Sequence, residues 1–256
     1  MSWKKEKRTH REAINWETIP CPICAGNSFN ELFKKEGEPF VKCKGCGFIM
    51  INPRPSYEQI LQTYEPRYSQ AYSNKQASKR RRSAHWVNQA RRFVSSGHWL
   101  DIGCSSGYMV EAAKNAGFDA YGVDLESWGV EFAKKELRLD KIFLGQLEDQ
   151  QFPEKYFQII SAYEVIEHVP DLHSFVNEIK RLLAPDGTLI IHTPDVGHWR
   201  RTRPLQNWGA VLPSEHLYYF NKKTLGLLLE QHGLVVKKWG FNLKPGLRAY
   251  IGHAHN

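Results

Sequence analysis

The chain has 256 residues, a hydrophobic content of 41% and a formal net charge of +8. This length allows one large globular domain with a real core and a smaller one beside it. No apolar run approaches the roughly 18 residues of a membrane span, and the basic N-terminus lacks the apolar stretch of a secretion signal. We therefore expect a cytoplasmic protein without a transmembrane segment.

The excess positive charge is concentrated in short runs at residues 4–11, 79–82 and 200–203. Such runs attract anionic partners, so nucleic acid, phosphorylated small substrates, acidic glycans and lipid surfaces are all candidates. Solvated helix faces and a loose tail explain the same runs without any partner.

The N-terminal quarter of the chain predicts a disordered basic tail over residues 1–16 and a metal-binding module over residues 17–56. Four of the five cysteines form two C-x-x-C pairs: Cys21 with Cys24, and Cys43 with Cys46. Each pair can direct two thiolates at one ion, and four sulfurs complete the closed shell of a structural zinc site. Two disulfides are the alternative, which a reducing cytosol disfavours. The pattern therefore predicts a zinc ribbon.

Residues 57–95 are polar and predict a helical connector. This segment contains four spaced tyrosines: Tyr57, Tyr64, Tyr68 and Tyr72. Such spacing is typical of a packing stripe, and the alternative is a roof or cap over a substrate pocket.

Residues 96–256 show strands of period two that alternate with amphipathic helices. Strands are expected near residues 98–103, 119–124, 141–144, 157–162 and 187–193, with helices after Ser106, Ser127 and Asp171. A helix over 222–231 and strands over 234–241 and 247–252 close the chain. This alternation is the sequence form of a doubly wound α/β domain.

The turn after the first of these strands carries the most informative motif. Residues 99–107 end in a D-x-G-x-x-x-G pattern, and Asp124 closes the following strand. A carboxylate at that point can accept both ribose hydroxyls of a nucleotide. The dinucleotide fingerprint requires glycine where Ser105 and Tyr108 stand, which disfavours a nicotinamide or flavin enzyme.

The turn resembles motif I of class I S-adenosylmethionine (SAM) dependent methyltransferases. Segments 144–149, 157–171 and 182–194 resemble later motifs of that family and occur in the same order. This resemblance implies a Rossmann-like sheet that is mostly parallel, with an antiparallel last strand. The cysteine pairs, followed by 47–55 and later by 215–220, also resemble a group of bacterial zinc-ribbon methyltransferases. Members of that group tend to accompany sugar, polysaccharide or natural-product pathways.

The resemblance implies that SAM is the cofactor and that it contacts residues at the ends of the strands. The expected contacts are Asp101, Gly103, Cys104, Gly107, Asp124, Leu125, Gln146, Leu147, Ala162 and Tyr163. The motif I turn should line the methionine part of SAM, and Asp124 should meet the ribose. Gln146 departs from the family pattern, because an acidic residue commonly meets the adenine amino group there.

Methyl transfer from a sulfonium is an in-line displacement, so orientation of the acceptor supplies most of the acceleration. A hydroxyl acceptor also benefits from a base, for which histidine is suited at neutral pH. His168 and His216 are the candidate catalytic bases; a helix-starting residue and a loop residue packed among aromatics are their respective alternatives. His192 is expected to be a satisfied histidine in a strand core.

These features predict a SAM-dependent methyltransferase that acts on a hydroxyl of a small-molecule or glycan-like acceptor, with zinc as a structural metal. A ribosomal RNA methyltransferase with a substrate-recognising ribbon is one alternative. The basic runs favour it, but Ala162-Tyr-Glu-Val165 stands where an Asn-Pro-Pro-Tyr type motif would follow the fourth strand. A non-catalytic SAM-binding or adaptor protein is the other alternative, and the intact Asp101 and Asp124 disfavour it.

Overall fold

The computed structural model describes residues 15–62 and 76–254. The predicted basic tail, apart from residues 15 and 16, lies outside the described residues. The same is true of three of the four connector tyrosines: Tyr64, Tyr68 and Tyr72.

The N-terminal module consists of five short strands, which lie at Trp16–Glu17 (β1), Phe29–Lys35 (β2), Glu38–Cys43 (β3), Ile49–Ile51 (β4) and Arg54–Pro55 (β5). Strands β2, β3 and β4 form an antiparallel sheet, and β1 pairs with β5. The β2–β3 hairpin turns at residues 36–37, where Glu36 and Gly37 both have positive φ. Glycine adopts that conformation without steric cost, so Gly37 explains the tight turn.

Two helices connect this module to the rest of the chain, at Tyr57–Gln62 (α1) and Gln76–Ala90 (α2). Helix α2 is highly basic, and it buries one narrow stripe at Ser83, Val87 and Ala90. These residues recur at helical spacing, so the helix packs through one side and leaves its arginines in solvent. Among the described helices, none is both long and apolar enough to cross a lipid bilayer.

Alternating strands and helices follow in chain order. They are His98–Ile102 (β6), Tyr108–Asn115 (α3), Asp119–Asp124 (β7), Ser127–Lys135 (α4), Ile142–Leu144 (β8), Phe157–Tyr163 (β9), Leu172–Leu182 (α5), Leu183–Pro194 (β10), Tyr218–Tyr219 (β11), Lys222–Gln231 (α6), Leu234–Gly240 (β12) and Gly246–His253 (β13). The strand order in the main sheet is β12-β13-β10-β9-β6-β7-β8. Strand β13 runs antiparallel to both of its neighbours, and the other pairings are parallel. The predicted fold class, a mostly parallel Rossmann-like sheet with an antiparallel last strand, is confirmed.

Both faces of this sheet are buried, which explains the continuous apolar character of its central strands. In β6, Leu100 belongs to the core cluster that contains Phe175 and Ile179 of α5, whereas Trp99 belongs to the cluster that contains Val110 of α3. Adjacent strand residues point to opposite faces, so one strand supplies both cores.

The N-terminal module packs directly on the main domain. Strand β11 pairs with β4, with Tyr218 opposite Met50. The buried Arg54 donates hydrogen bonds to the Tyr218 hydroxyl at 2.6 Å and to the Pro170 carbonyl at 2.8 Å, and Glu17 accepts a third at 2.7 Å. One hydrophobic cluster includes residues from both the N-terminal module and the main domain, so packing does not separate the two. The predicted division into domains stays a prediction.

Candidate functional site

A cavity of about 1410 Å³ opens at the carboxyl ends of the central parallel strands. In an open α/β sheet this edge, at the point where the strand order reverses, is the usual ligand site. The switch here lies between β6 and β9. The cavity wall includes residues 101–106, 123–126, 145–149, 163–165, 168–171, 212–216 and 241–246.

The motif I turn is fixed by backbone hydrogen bonds and by glycine. The Gly103 amide donates to the Val123 carbonyl at 2.9 Å. Gly103 and Gly107 have φ of +67° and +76°, and a Cβ on Gly103 would collide with the Val165 side chain. Gly107 does not line the cavity but packs against Ala133 of α4. The glycines therefore serve the strand-to-helix turn, and Gly103 also keeps the cavity edge open.

Asp101 places a buried carboxyl group at the floor of the cavity. Its Oδ1 accepts a hydrogen bond from the Ser161 hydroxyl at 2.6 Å, and the Ser161 oxygen in turn accepts from the Trp99 indole at 2.9 Å. Burial raises the pKa of Asp101 to about 7, and the nearby Asp124 carboxylate adds to the increase. A cationic ligand would stabilise the ionised form, because a buried charge needs a partner.

Asp124 is held at the cavity edge by two backbone donors. The Ser105 amide donates to Oδ2 at 2.7 Å, and the Glu126 amide donates to Oδ1 at 2.8 Å. Each carboxylate oxygen keeps a further lone pair, so both can still accept from a ligand. Burial raises the pKa of Asp124. This geometry suits the expected contact with two ribose hydroxyls.

The remaining cofactor candidates divide into cavity and core positions. Cys104, Leu125, Gln146, Leu147 and Tyr163 line the cavity. Ala162 is fully buried in β9 and does not line it. A side-chain contact between Ala162 and a cofactor is therefore not supported, because this residue faces the opposite side of the strand from Tyr163.

The two candidate bases lie side by side in the cavity wall. The rings of His168 and His216 have centroids 4.6 Å apart and are nearly perpendicular. Burial lowers the pKa of His168 and lowers that of His216 to about 4, with the neighbouring His168 adding to the second decrease. Both rings are therefore neutral at pH 7, which leaves one nitrogen of each able to accept a proton or bind a metal.

Sequence reasoning missed part of the cavity wall. His192 was expected to be a satisfied histidine in a strand core. It has a hydrogen-bond partner, since its Nδ1 lies 2.6 Å from Oε1 of Glu164, but it lines the cavity instead of the core. Trp86 of α2 stacks on Tyr163 with centroids 4.1 Å apart. The signals were a carboxylate directly after β9 and a single tryptophan in a basic helix. Neither the carboxylate of Glu164 nor the ring of Trp86 indicates which residue it contacts, because His192 and Tyr163 are distant from them in the sequence.

The four N-terminal cysteines meet at one point. The Sγ atoms of Cys21 and Cys46 are 3.5 Å apart, as are those of Cys24 and Cys43, and all four lie within 4.8 Å of one another. The thiols are free, so the two-disulfide alternative is not formed. Tetrahedral zinc with Zn–S bonds of about 2.3 Å requires sulfurs about 3.8 Å apart. The donor set and its spacing therefore fit zinc.

One of these thiols is already prepared for ionisation. Burial opposes ionisation of Cys43, but backbone N–H groups of Cys46 and Gly45 and the neighbouring thiols lower its pKa to about 7. A thiolate is the form that binds a metal.

Comparison with known proteins identifies the domain. A family model described as "Methyltransferase domain" matches residues 75–238. The chain belongs to the methyltransferase domain family. The predicted enzyme class, a SAM-dependent methyltransferase, is thereby confirmed for this domain.

The chain is also similar to curated methyltransferases along part of their length. It is 31% identical over 114 residues to the mitochondrial ubiquinone biosynthesis O-methyltransferase of Schizosaccharomyces pombe. The aligned stretch covers 42% of this chain and 41% of the relative. It is 33% identical over 112 residues to the ubiquinone biosynthesis O-methyltransferase of Methylococcus capsulatus, covering 41% and 46%. The chain thus spans about half the length of the curated relatives it matches.

Solved structures agree on the fold. A SAM-dependent methyltransferase from Aquifex aeolicus superimposes with a TM-score of 0.51 and 18% identity, covering 66% of this chain and 88% of that one. A SAM-dependent methyltransferase from Bacteroides fragilis, in complex with S-adenosyl-L-homocysteine, gives a TM-score of 0.50 and 18% identity, covering 69% and 77%. The methyltransferase fold therefore covers most of the chain.

Proposed function

We propose that this methyltransferase transfers the methyl group of SAM to a hydroxyl group of a small-molecule or glycan-like acceptor. The observation that carries the proposal is a single cavity whose wall contains two chemically different groups. Asp101 and Asp124 form one group, which we assign to the cofactor end, and the His168–His216 pair forms the other, which we assign to the acceptor end. The names of the curated relatives, which are O-methyltransferases, support a hydroxyl acceptor.

The cofactor half fits the charge distribution of SAM. Asp124 would accept hydrogen bonds from the ribose hydroxyls, and the buried carboxyl of Asp101 would meet the cationic methionine end. Leu125 and Leu147 would contact the adenine, with Gln146 beside its edge. Main-chain atoms of the motif I turn complete this half.

The acceptor half would orient a hydroxyl oxygen in line with the methyl group and the sulfur. The oxygen–carbon bond forms as the carbon–sulfur bond breaks, and the electron pair of that bond goes to sulfur, giving neutral S-adenosylhomocysteine. The hydroxyl proton is lost at the imidazole end of the cavity. Holding the two reactants in this geometry supplies most of the acceleration, with effective molarities of roughly 10⁵ M in well-oriented systems.

Three basic side chains of the cavity wall would attract an acceptor with negative charge. They are Lys79, Arg82 and Lys244. The Arg82 guanidinium lies 5.4 Å from the centre of the Trp86 ring, which itself stacks on Tyr163. A sugar attached to a phosphate or a nucleotide would present an anion to these basic side chains and a ring to the stacked Trp86 and Tyr163. Its own hydroxyl would then reach the imidazoles.

We also propose that zinc occupies the four-cysteine site as a structural metal. Four thiolates leave no open position, so this ion would not take part in catalysis. Its role is to hold the N-terminal module against the acceptor side of the cavity.

Calorimetric titration with SAM, S-adenosylhomocysteine and NAD tests the cofactor half. We expect micromolar binding of both sulfur compounds, no binding of NAD, and at least a tenfold loss of affinity in Asp124→Asn. Asp140→Asn is the matched control, because this aspartate is exposed and distant in sequence from the motif I turn. Failure of SAM to bind would leave the motif I turn with a purely structural role.

Acceptor identity is tested by methylation assays with nucleotide sugars first and ribosomal RNA second. We expect transfer to a hydroxyl of a small molecule. Methylation of RNA, with an affinity that falls steeply as salt rises, would instead favour the RNA alternative.

A further inference from the structure

Three metal-binding side chains meet at the acceptor end of the cavity, in addition to the four cysteines. Glu167 and His168 follow β9, and His216 comes from the segment before β11. One donor atom from each residue lies within 4.8 Å of the others. We propose that these residues hold a divalent transition-metal ion that binds the acceptor hydroxyl, an inference that rests on the proposed function above.

The distances among the three donor atoms allow them to bind one shared ion after small side-chain rotations. Zinc binds imidazole nitrogen and carboxylate oxygen at about 2.0–2.2 Å, so two donors on one ion lie about 3–4 Å apart. The observed donors are within 1–2 Å of that condition. Their backbones need not move, because imidazole and carboxylate groups rotate about their side-chain bonds.

His168 presents a lone pair to this point. Its Nδ1 lies 2.7 Å from the carbonyl oxygen of Glu215. A carbonyl only accepts hydrogen bonds, so Nδ1 carries the proton and Nε2 of the neutral ring is the unprotonated nitrogen. Histidine ligands commonly donate their second ring nitrogen to a carbonyl in this way, which fixes the ring and its tautomer.

His216 presents its other nitrogen. The ring is 6% exposed, and its Nδ1 is buried without a hydrogen-bond partner. A hydrogen bond from the ring to the Ala210 backbone favours a proton on Nε2. The Nδ1 lone pair is therefore left over, and a buried acceptor without a partner carries a free-energy penalty that a metal ion removes.

Glu167 supplies the negative charge. Its side chain is fully buried, and Oε2 accepts from the Thr193 hydroxyl at 2.9 Å. Oε1 is buried without a hydrogen-bond partner. Among the described residues, no lysine, arginine or histidine forms an ion pair with Glu167, and Glu164 is a further carboxylate nearby. An ionised carboxylate in this place needs a cation, and a bound metal would provide one.

Two histidines and one carboxylate form a ligand set that leaves several positions open. The open positions would lie toward the cavity, because His168 and His216 line it whereas Glu167 does not. A metal there would lower the pKa of a bound hydroxyl, as it does for bound water. The hydroxyl proton would pass to solvent, and the resulting alkoxide would take the methyl group while the carbon–sulfur electron pair stays on sulfur.

This arrangement also specifies the acceptor class. An ion with at least two open positions binds best to an acceptor with two adjacent oxygen donors, such as a vicinal diol or a hydroxy-carbonyl group. The hydroxyl to be methylated would be one of the two. An isolated hydroxyl would bind with one contact fewer.

Metal analysis tests the site without relying on activity. Protein dialysed against zinc should carry two zinc ions per chain, of which the four-cysteine site accounts for one. Glu167→Gln and His216→Gln should each carry one. His232→Gln is the matched control and should carry two, because His232 is a buried histidine that pairs with His173 and Asn177 instead.

Manganese titration gives an independent measurement when it is made on protein that carries zinc only at the cysteine site, one zinc ion per chain. Mn²⁺ prefers nitrogen and oxygen ligands over thiolates, so it should not displace zinc from the cysteines. We expect one Mn²⁺ per wild-type chain by electron paramagnetic resonance, with at least a tenfold loss of affinity in Glu167→Gln and no loss in His232→Gln.

The outcomes separate this inference from the proposed function. One zinc per wild-type chain, together with no Mn²⁺ binding and normal SAM binding, would overturn the metal site and leave the function intact. Two zinc ions in Glu167→Gln would also overturn it. Absence of SAM binding would instead count against the function. Glu167→Gln keeps an oxygen for the Thr193 hydroxyl, and circular dichroism checks that it folds.

Discussion

At the scale of single residues, Asp101 shows how the sheet prepares one side chain for a charged ligand. Its carboxyl group is buried, accepts from Ser161 and has a pKa of about 7. The free protein therefore holds this group partly protonated at neutral pH. Binding of a cation beside it would favour the ionised form and release a proton.

We predict that SAM affinity rises with pH as Asp101 ionises. Below pH 7 the carboxyl is mostly neutral and attracts a sulfonium or ammonium group weakly, whereas above pH 7 it is negative. With a pKa of about 7 in the free protein, this gives a roughly tenfold lower Kd at about pH 7.5 than at about pH 6. Calorimetry across this range measures it.

Asp101→Asn is the control for this prediction, because asparagine keeps the shape but cannot ionise. Its affinity should be weaker and should not change with pH. An unchanged slope in Asp101→Asn would assign the titration to another group. Burial lowers the pKa of both His168 and His216, which moves their titration away from the upper part of this range.

The candidate site could be predicted where local sequence determines it. Asp101, Gly103 and Asp124 lie at the ends of two adjacent parallel strands, so recognising the strands places them at one edge. The Glu167–His168–His216 group could not be predicted as a unit. His216 follows Glu167 by some fifty residues that include α5 and β10. The two segments meet through tertiary hydrogen bonds, such as that from the Leu217 amide to the Glu167 carbonyl, which local sequence does not indicate.

At the scale of elements, helix α3 depends on two glycines with positive φ at its ends. Gly107 precedes the helix with φ +76°, and Gly117 follows it with φ +94°. Their surroundings differ. A Cβ on Gly107 would meet Ala133 at 2.8 Å and Leu139 at 2.9 Å, whereas a Cβ on Gly117 would meet nothing within 4 Å.

We predict that Gly107→Ala destabilises the protein more than Gly117→Ala. Both substitutions force alanine into the left-handed region, at about 1 kcal/mol each. Gly107→Ala adds overpacking against α4, typically 1–3 kcal/mol. We therefore expect losses of about 2–4 and about 1 kcal/mol in the free energy of unfolding, measured by urea denaturation. Equal losses would show that α4 moves away at no cost.

The long elements could be predicted because their patterns are local. The apolar stripe of α5, at Leu172, Phe175, Val176, Ile179 and Leu182, repeats at helical spacing, and the N-cap Asp171 marks its start. Strand β10 begins at Leu183, earlier than the expected 187, because Leu183 already pairs with Phe157 before a bulge. The two-residue strand β11 was not expected, since its partner β4 determines it.

At the scale of the whole molecule, the N-terminal module and the methyltransferase domain share one core. Phe48 of the module stacks on Tyr218 with centroids 5.8 Å apart and contacts Phe220 at 5.1 Å. His216 lies in the segment between the end of β10 and Tyr218. Loss of the module's fold would therefore disturb the acceptor end of the cavity before it disturbs the SAM end.

We predict that removing zinc from the cysteine site loosens residues 215–220. Cys24→Ser leaves three thiolates, and without the metal the module would no longer support the pairing of β4 with β11. A loss of about 3 kcal/mol corresponds to a fall in Tm of roughly 10 °C for a chain of this size. Hydrogen exchange should show lost protection at 215–220 and retained protection in β6.

Cys104→Ser is the matched control, because it removes a buried thiol that lies outside the cysteine site and should leave zinc content and this protection unchanged. Unchanged exchange at 215–220 in zinc-free Cys24→Ser would show that the acceptor end is stable without the ribbon.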